Sequence, residues 1–418
     1  MITGSGFQAF RPEDGAVGLW VRVQFPSAEL DRFIEATRVS GVMIAPSWSE
    51  PASGLGFLAR FKDQLRGLTV AAEELKDLSV VSRLTNLEVL SLECPADGLD
   101  FSQLLRLRKC FLGRPASLGN VGSATALESL ALHGLKTEEL TELRTLKALR
   151  HLHLTSLPRL RSLEELESLQ LEELRLAYLS RLRTIASIGH STSLEVLEVM
   201  NCKHIRDFEV VGTLTALRVL RIWRGPTLPS FYPLGQLSRL VELGLWATEV
   251  IQTPTSIAPL THLVNLRVLK LLSGIKRATD LERLGELRAL VCLMLGRGPV
   301  LPSLSFLGGL GNLEELAITR TRIRDADRSE LAGLPKLRRV HGLGQPGVFD
   351  GEAEARWGDD FESVSGVADA AKAEVERQGL KGPFELRVGV GRKSFAVMGR
   401  VVRGRVRIEM VIPTAGDG

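Results

Sequence analysis

Residues 389–394, which read Gly-Val-Gly-Arg-Lys-Ser, come nearest to a phosphate-binding loop. Such a loop needs a glycine, four further residues and then Gly-Lys-Ser or Gly-Lys-Thr between a strand and a helix, so that backbone N–H groups surround the phosphates. Here the first glycine is missing at the required distance, Arg392 separates Gly391 from Lys393, and strand-forming residues follow. The sequence therefore predicts a hairpin turn at this place and no nucleotide site.

Three histidines, His133, His151 and His153, lie close together in the chain and have to be considered as metal ligands. Zinc sites combine imidazoles with cysteine or carboxylate ligands at regular spacings, and no such group accompanies these three in the same pattern. We expect no metal here. Instead, His151 and His153 are predicted to contribute to a polar recognition surface.

The remaining motifs give no sign of an enzyme. No Gly-x-Ser-x-Gly elbow, His-Glu-x-x-His helix or calcium loop is present, and the pairs of adjacent glutamates belong to ordinary charged segments. No run of about 18 apolar residues occurs, and the first residues do not have the pattern of a signal peptide. We therefore expect a protein without catalytic activity, cofactor or membrane span.

Charge and cysteine content limit the function further. The 53 basic residues are nearly balanced by 49 acidic ones, so the net charge of +4 does not indicate a global field for polyanions. The four cysteines are far apart and form no Cys-x-x-Cys pair, which argues against a zinc ribbon and against a disulfide framework. Reduced thiols in the cytoplasm are the simplest interpretation. These cysteines are Cys94, Cys110, Cys202 and Cys292.

A recurring block with leucines at its first, fourth and sixth positions organises most of the chain. Its period of 20 to 26 residues, interrupted by Gly and Pro, excludes one long helix or a coiled coil. Because side chains alternate along a strand, the leucines at positions 4 and 6 predict short strands that stack into a parallel sheet over a continuous core. The first leucines of the blocks are Leu65, Leu87, Leu107, Leu127, Leu149, Leu171, Leu194, Leu217, Leu240, Leu266, Leu290, Leu313 and Leu337.

Clear copies of the block, such as residues 87–92 and 149–154, make the chain resemble the leucine-rich-repeat family over roughly residues 55–345. The short units look most like its bacterial and SDS22-like classes. The resemblance implies an α/β solenoid of about thirteen repeats, with a curved parallel β-sheet and with 3₁₀ turns or short helices on the convex side. A solenoid of this kind is typical of a protein that binds other proteins.

The sequence departs from the family eight residues after the first leucine. The family usually has Asn there, and its side chain forms a ladder of hydrogen bonds to the backbone. The family's turn geometry is therefore not carried over to this chain. The residues at this place are Pro95, Leu135, Leu157, Leu179, Cys202, Gly225, Thr248 and Thr321.

Three domains are predicted: a cap at residues 1–54, the solenoid at 55–345 and an α+β module at 346–418. The cap is needed because a terminal repeat otherwise exposes strand edges and bare leucines. The module is either a second cap or a separate functional domain. The elements predicted in the cap are a strand at 17–25, a helix at 28–39 and a strand at 41–45; those in the module are a helix near 360–380 and strands near 384–390, 394–402 and 405–412.

Positions 5 and 7 of each block must point out of the concave sheet if positions 4 and 6 point into the core. In the middle of the position-7 column stand Met200, Trp223, Trp246 and Leu272, which we call the tryptophan strip. Neighbouring strands lie about 4.8 Å apart, so the strip should be continuous. The polar residues predicted beside it are Arg175, Tyr178, Glu198, Arg221, Arg224 and Lys270.

Exposed Trp, Tyr, Met and Arg in a concavity have the composition of the centre of a protein interface. The sequence thus predicts a non-catalytic scaffold or receptor that captures a partner protein. An immunity or inhibitor protein is one form that such a scaffold can take. The sequence implies no small-molecule substrate. Two other arrangements stay open for the strip. A local bulge could turn one tryptophan into the core, or the C-terminal module could cover the strip.

Two other functions have to be weighed against protein binding. Basic residues beside the aromatic rings could hold single-stranded nucleic acid by charge and stacking, although Glu173, Glu198 and Glu242 interrupt this surface. The repeats could also serve as a sensor for an activity in the C-terminal module, whose strands are basic. The basic residues in question are Arg175, Arg221, Arg224, Lys270 and Arg297 for nucleic acid, and Arg387, Arg392, Lys393, Arg400, Arg403, Arg405 and Arg407 for the module.

Overall fold

The chain divides into two compact units, of which the larger ends at Leu343. The domain limit predicted at 345/346 stays a prediction, because residues 342–376 lie outside the described part of the chain. The computed structural model describes residues 2–4, 7–11, 18–44, 54–72, 75, 77–95, 98–246, 255–272, 275, 277–296, 298, 300–319, 321–325, 329–341 and 377, and the strands at 382–390, 393–402 and 405–413.

Within the described residues of the larger unit, seventeen strands form one open sheet. Strands β3 to β19 of this sheet run parallel, each paired with the next strand of the sheet along the chain. The strands are β1 (Ile2–Gly4), β2 (Phe7–Phe10), β3 (Trp20–Val23), β4 (Gly41–Ile44), β5 (Gly67–Val70), β6 (Val89–Leu92), β7 (Lys109–Gly113), β8 (Ser129–His133), β9 (His151–Thr155), β10 (Glu173–Ala177), β11 (Val196–Met200), β12 (Val219–Trp223), β13 (Glu242–Trp246), β15 (Val268–Leu271), β17 (Cys292–Gly296), β18 (Glu315–Thr319) and β19 (Arg339–His341). The short β14 (Thr255–Ser256) and β16 (Ala278–Thr279) pair separately.

The leucine pattern explains where the strands of the sheet begin. From β5 onward, each strand of this sheet starts two residues after the first leucine of a block. From β5 to β18, the fourth and sixth positions of the blocks are buried, as are Leu152 and Leu154, and they lie opposite the corresponding residues of the next strand. The leucine columns therefore stack into one continuous core, and the predicted leucine-rich-repeat solenoid is confirmed.

The segments that return the chain to the next strand are short, because a repeat of this length has no room for long helices. Their apolar residues, such as Phe208 and Val211, close the core on the side opposite the sheet's open face. No helix in the described residues is long and apolar enough to cross a lipid bilayer. The 3₁₀ segments are Gly56–Phe61, Val81–Arg83, Phe101–Gln103, Val121–Ser123, Thr141–Thr145, Glu164–Leu166, Ala186–His190, Phe208–Thr213, Leu234–Gln236, Ala258–His262, Leu281–Glu286 and Ser305–Gly309; the α-helices are α1 (Ala28–Thr37) and α2 (Ser329–Ala332).

The turn that follows each central strand replaces the asparagine ladder of the family with a different arrangement. Seven residues after the first leucine, six consecutive repeats have a residue with positive φ. Its N–H donates to the carbonyl of the last residue of the next strand at 2.6 to 3.0 Å. The next position can then be apolar, and Leu135, Leu157 and Leu179 are buried there. The residues with positive φ are Arg114, Gly134, Ser156, Tyr178, Asn201 and Arg224.

The predicted strand–helix–strand unit is present at the N-terminus as β3, α1 and β4. Ser27 caps α1, since its Oγ accepts a hydrogen bond from the N–H of Leu30 at 3.1 Å. The sheet nevertheless does not end at β3, because β2 and β1 continue it as antiparallel strands. These two strands are so short that their alternation of apolar and polar residues gives no repeat signal, and the sequence analysis did not predict them.

In the C-terminal unit, β20 (Gly382–Val390), β21 (Lys393–Val402) and β22 (Arg405–Pro413) form an antiparallel sheet close to the predicted strands. Val390 is paired with Lys393, so the segment that resembles a phosphate loop joins two antiparallel strands, as the predicted hairpin requires. The helix predicted near 360–380 lies outside the described residues, apart from Arg377.

Candidate functional site

The tryptophan strip lies on the open face of the sheet, the face opposite the leucine core. Met200 is paired with Trp223, and Trp223 with Trp246, in regular parallel register. All three side chains are partly exposed and lie outside the core cluster. No bulge interrupts β12 or β13, so the alternative in which a tryptophan turns into the core is wrong.

Both indole rings are held beside a cation. The ring of Trp246 lies over Gly244 of the same strand, where an added Cβ would approach the ring to 2.1 Å. Lys270 places its Nζ 5.9 Å from the centre of the Trp246 ring, and Arg224 places its Cζ 4.9 Å from that of Trp223. These distances fall within the range of cation–π attraction. The rings are thereby restrained while part of each stays open to solvent.

Arg221, in the position-5 column, is neutralised by carboxylates on both neighbouring strands. Its Nη1 bonds Glu198 at 2.5 Å, and its Nε and Nη2 form a bidentate pair with Glu242 at 2.8 and 2.7 Å. The glutamate side chains are only 16% and 17% exposed. Hydrogen bonds from Arg221 hold the pKa of Glu242 below its usual value, although burial opposes this.

The same chain of charges continues toward β9. Arg175 approaches Glu198 at 3.4 Å and Glu173 at 2.6 Å, and Glu173 accepts a hydrogen bond from the Nε2 of His153 at 2.7 Å. Burial lowers the pKa of His153 more than its hydrogen bond with Glu173 raises it, which favours the neutral ring. The open face of the sheet is therefore far less basic than its arginines alone indicate, and His153 is engaged by a carboxylate.

The other predicted contact residues have different surroundings. His151 is partly exposed at the start of β9, beside Glu173 in the register. Tyr178 has a φ of 57° and belongs to the turn after β10, so it stands at the end of the sheet and not within it. No group of three side chains suited to hold a metal occurs in the described part of the chain.

Leu272 connects the tryptophan strip with a second apolar cluster on the open face. Its N–H donates to the carbonyl of Leu245, which puts it beside Trp246 in the ladder. Its side chain packs against a cluster of Cys292, Met294 and Ala317 on the next strands. These three side chains are buried, so the apolar packing around Leu272 continues toward β18, while the exposed part of the strip ends near Leu272.

The sequence analysis assigned no role to Gly244, although the flat placement of Trp246 depends on it. The sequence signal that could have indicated this role is a glycine two residues before an outward tryptophan. A parallel case occurs at the N-terminus, where the ring of Trp20 lies over Gly41 and Gly67 of the next two strands. In both places the missing side chain makes room for an indole ring on the open face. Of the predicted basic residues, Arg297 lies outside the described residues.

Comparison with known proteins supports the fold. No protein-family model matches the chain, and no curated protein matches it significantly. An internalin (inlF) of Listeria monocytogenes shares 22% identity, with a TM-score of 0.60 over 77% of this chain and 97% of the internalin. A leucine-rich-repeat protein of Leptospira interrogans shares 21% identity, with a TM-score of 0.59 over 77% of this chain and 81% of the other.

A third similar structure is a chain of the mouse RP105/MD-1 complex, at 17% identity and a TM-score of 0.52, over 73% of this chain and 57% of the other. At these identities the similarity concerns the fold alone. It agrees with the leucine columns, the parallel register and the short 3₁₀ segments of this chain. By repeat and by architecture, this chain is a leucine-rich-repeat solenoid.

Proposed function

We propose that the chain is a non-catalytic scaffold that captures a partner protein on the concave face of its sheet. The observation that carries this proposal is the pair Trp223 and Trp246, which lie in register on adjacent strands, outside the core and partly open to solvent. Tryptophan is enriched at binding hot spots because it covers a large area with few rotatable bonds.

The chemistry around the rings indicates what the partner should present. Arg224 and Lys270 lie over the rings, whereas Arg221 is already paired with carboxylates. A partner with an apolar side chain flanked by carboxylates would bury the rings and keep both cations paired. The RP105/MD-1 structure is that of a complex, so one similar fold is used to hold a partner.

Nucleic-acid binding is the weaker candidate. Binding of single strands requires cations that are free to contact phosphates beside stacking rings. Arg175 and Arg221 are engaged by Glu173, Glu198 and Glu242, so these two arginines are not free to contact phosphates. Four more specific statements about the protein-binding scaffold are proposals as well. They are an immunity or inhibitor role, a bacterial source, a cytoplasmic location and a sensor role for the repeats.

The test compares the Trp223→Ala/Trp246→Ala variant with wild type in quantitative affinity capture from a native extract, followed by binding measurements on the purified partner. Tyr232→Ala is the matched control, because Tyr232 is an aromatic residue that is 67% exposed and lies off the strip. We expect the double variant to lose at least tenfold in affinity while its melting temperature stays close to that of wild type. Unchanged affinity in the double variant, or an equal loss in the control, would refute the proposal.

A further inference from the structure

A second surface, away from the tryptophan strip, carries a group of basic side chains. In the loops that follow β9, β10 and β11, a buried aliphatic residue is flanked on both sides by basic residues. In each segment the middle residue is buried and its two neighbours are exposed. The three segments are Arg159-Leu160-Arg161, Arg181-Leu182-Arg183 and His204-Ile205-Arg206.

Backbone hydrogen bonds hold these loops side by side. The N–H of Arg183 donates to the carbonyl of Arg161 at 3.0 Å, and that of Arg206 donates to the carbonyl of Arg183 at 2.9 Å. The outward side chains surround a depression of about 370 Å³, which we call the arginine pocket. Its lining consists of Arg161, Ser180, Arg181, Arg183, His204 and Arg206.

The pocket contrasts with the open face of the sheet because its charges are not balanced. Glu138 approaches Arg161 at 3.7 Å. Asp207, next to the pocket in sequence, is occupied elsewhere, since it accepts from the hydroxyl of Thr184 at 2.6 Å and from the N–H of Ile185 at 3.0 Å. Among the described residues, the guanidinium groups of Arg181, Arg183 and Arg206 form no ion pair, and all three side chains are exposed.

The pocket is also confined. In the next repeat the corresponding places hold Thr227 and Pro229, which carry no charge, and Glu138 lies on the preceding side. Like charges held this close repel one another, and the leucine core does not require them. A bound anion of several charges would remove the repulsion and give each guanidinium a partner.

We propose that the arginine pocket binds a small polyphosphate, meaning two or three linked phosphate groups. Guanidinium groups match phosphate oxygens in bidentate geometry, and the volume lies in the range of small-molecule sites. Apart from the exposed imidazole of His204, the lining contains no aromatic or large apolar side chain on which a base could stack. The phosphates therefore provide the recognition, and a base adds little to it.

The test is isothermal titration calorimetry of the full-length chain with tripolyphosphate at low salt. The variant is Arg183→Gln/Arg206→Gln, and the control is Arg267→Gln, since Arg267 is exposed on a distant repeat and forms no ion pair within the described residues. We expect saturable binding by wild type that weakens as salt is added. The double variant should lose at least tenfold in affinity, and the control less than twofold.

Two further titrations distinguish other ligands. ATP should bind no more tightly than tripolyphosphate, and a hexaglutamate peptide should bind at least tenfold more weakly. Absence of binding by wild type, or an equal loss in both variants, overturns the proposal. Tighter binding of ATP would indicate base recognition, and equal binding of the peptide would indicate an acidic protein segment; either result also overturns it. Far-UV circular dichroism of both variants checks that the solenoid is intact.

Discussion

Gly244→Ala is a direct test of how Trp246 is held on the open face of the sheet. A Cβ at residue 244 would lie 2.1 Å from Cη2 and 2.3 Å from Cζ3 of the indole. Carbon atoms make contact at about 3.5 Å or more, so the ring has to move by roughly 1.4 Å. Because Trp246 is partly exposed and backed by no side chain at residue 244, the ring should swing into solvent while the strand stays in place.

The energetic effect follows from the area that the ring covers. If one face of the indole, roughly 60 Å², becomes exposed, the loss is about 1.5 kcal/mol at about 25 cal/mol per Å². Alanine stabilises a strand by about 0.5–1 kcal/mol relative to glycine because it has less conformational entropy to lose. We therefore expect a net decrease of only about 0.5–1 kcal/mol in the free energy of unfolding, together with a large change in the exposure of one tryptophan.

Acrylamide quenching of tryptophan fluorescence measures that exposure. The chain has five tryptophans, so the signal of Trp246 is the difference between Gly244→Ala and the same substitution combined with Trp246→Phe. Gly311→Ala is the control, because an added Cβ there meets no atom within 4 Å. We expect a red shift and stronger quenching in Gly244→Ala alone. Quenching identical to that of wild type would show that the ring does not lie over Gly244.

Two further predictions concern the charges and the thiols. Arg221→Met should decrease the free energy of unfolding by about 1–2 kcal/mol at pH 7, a value discounted because Arg221 is 41% exposed. The folded-state pKa of Glu242 lies below its ordinary 4.5, so this stabilisation is present above pH 4.5 and is lost as the pH falls through the folded-state value. Urea titrations measure the difference in free energy of unfolding between wild type and variant at each pH. A difference that widens on acidification would contradict the prediction. Burial raises the pKa of the Cys94 and Cys292 thiols to about 11 and that of the Cys110 and Cys202 thiols to about 12. Because the thiolate is the reactive form, a thiol reagent at pH 8 should label the native chain at least about a hundred times more slowly than the unfolded chain. Rapid labelling of the native chain would refute this.

The sequence was sufficient to predict the strands of the repeats because period and burial coincide in them. A leucine at the fourth or sixth position cannot be moved by one residue without facing solvent, so the register was determined wherever the block recurred. The same register put Trp223 and Trp246 opposite each other, and the structure pairs them. Here local pattern and packing make the same demand.

The parts that could not be predicted depend on contacts between side chains. The column of outward residues indicated a surface with several free arginines and lysines. A column of single residues does not show that Arg221 reaches two glutamates at once, so the neutralisation of this charge could not be predicted. The turns were missed for a related reason. Positive φ at residues such as Tyr178 and Arg224 is uncommon outside glycine and is imposed here by the hydrogen bond to the next strand.

The ion pairs between β9 and β13 also bear on how such a chain can change its length. A leucine core tolerates the gain or loss of a repeat, because any unit can stack on any other. The charges on the open face do not tolerate such a change. Deletion of the repeat that carries Glu198 would bring Arg175 against Arg221. In this stretch, recombination between repeats is constrained to events that keep the alternation of sign, so the middle of the array should be its most length-conserved part.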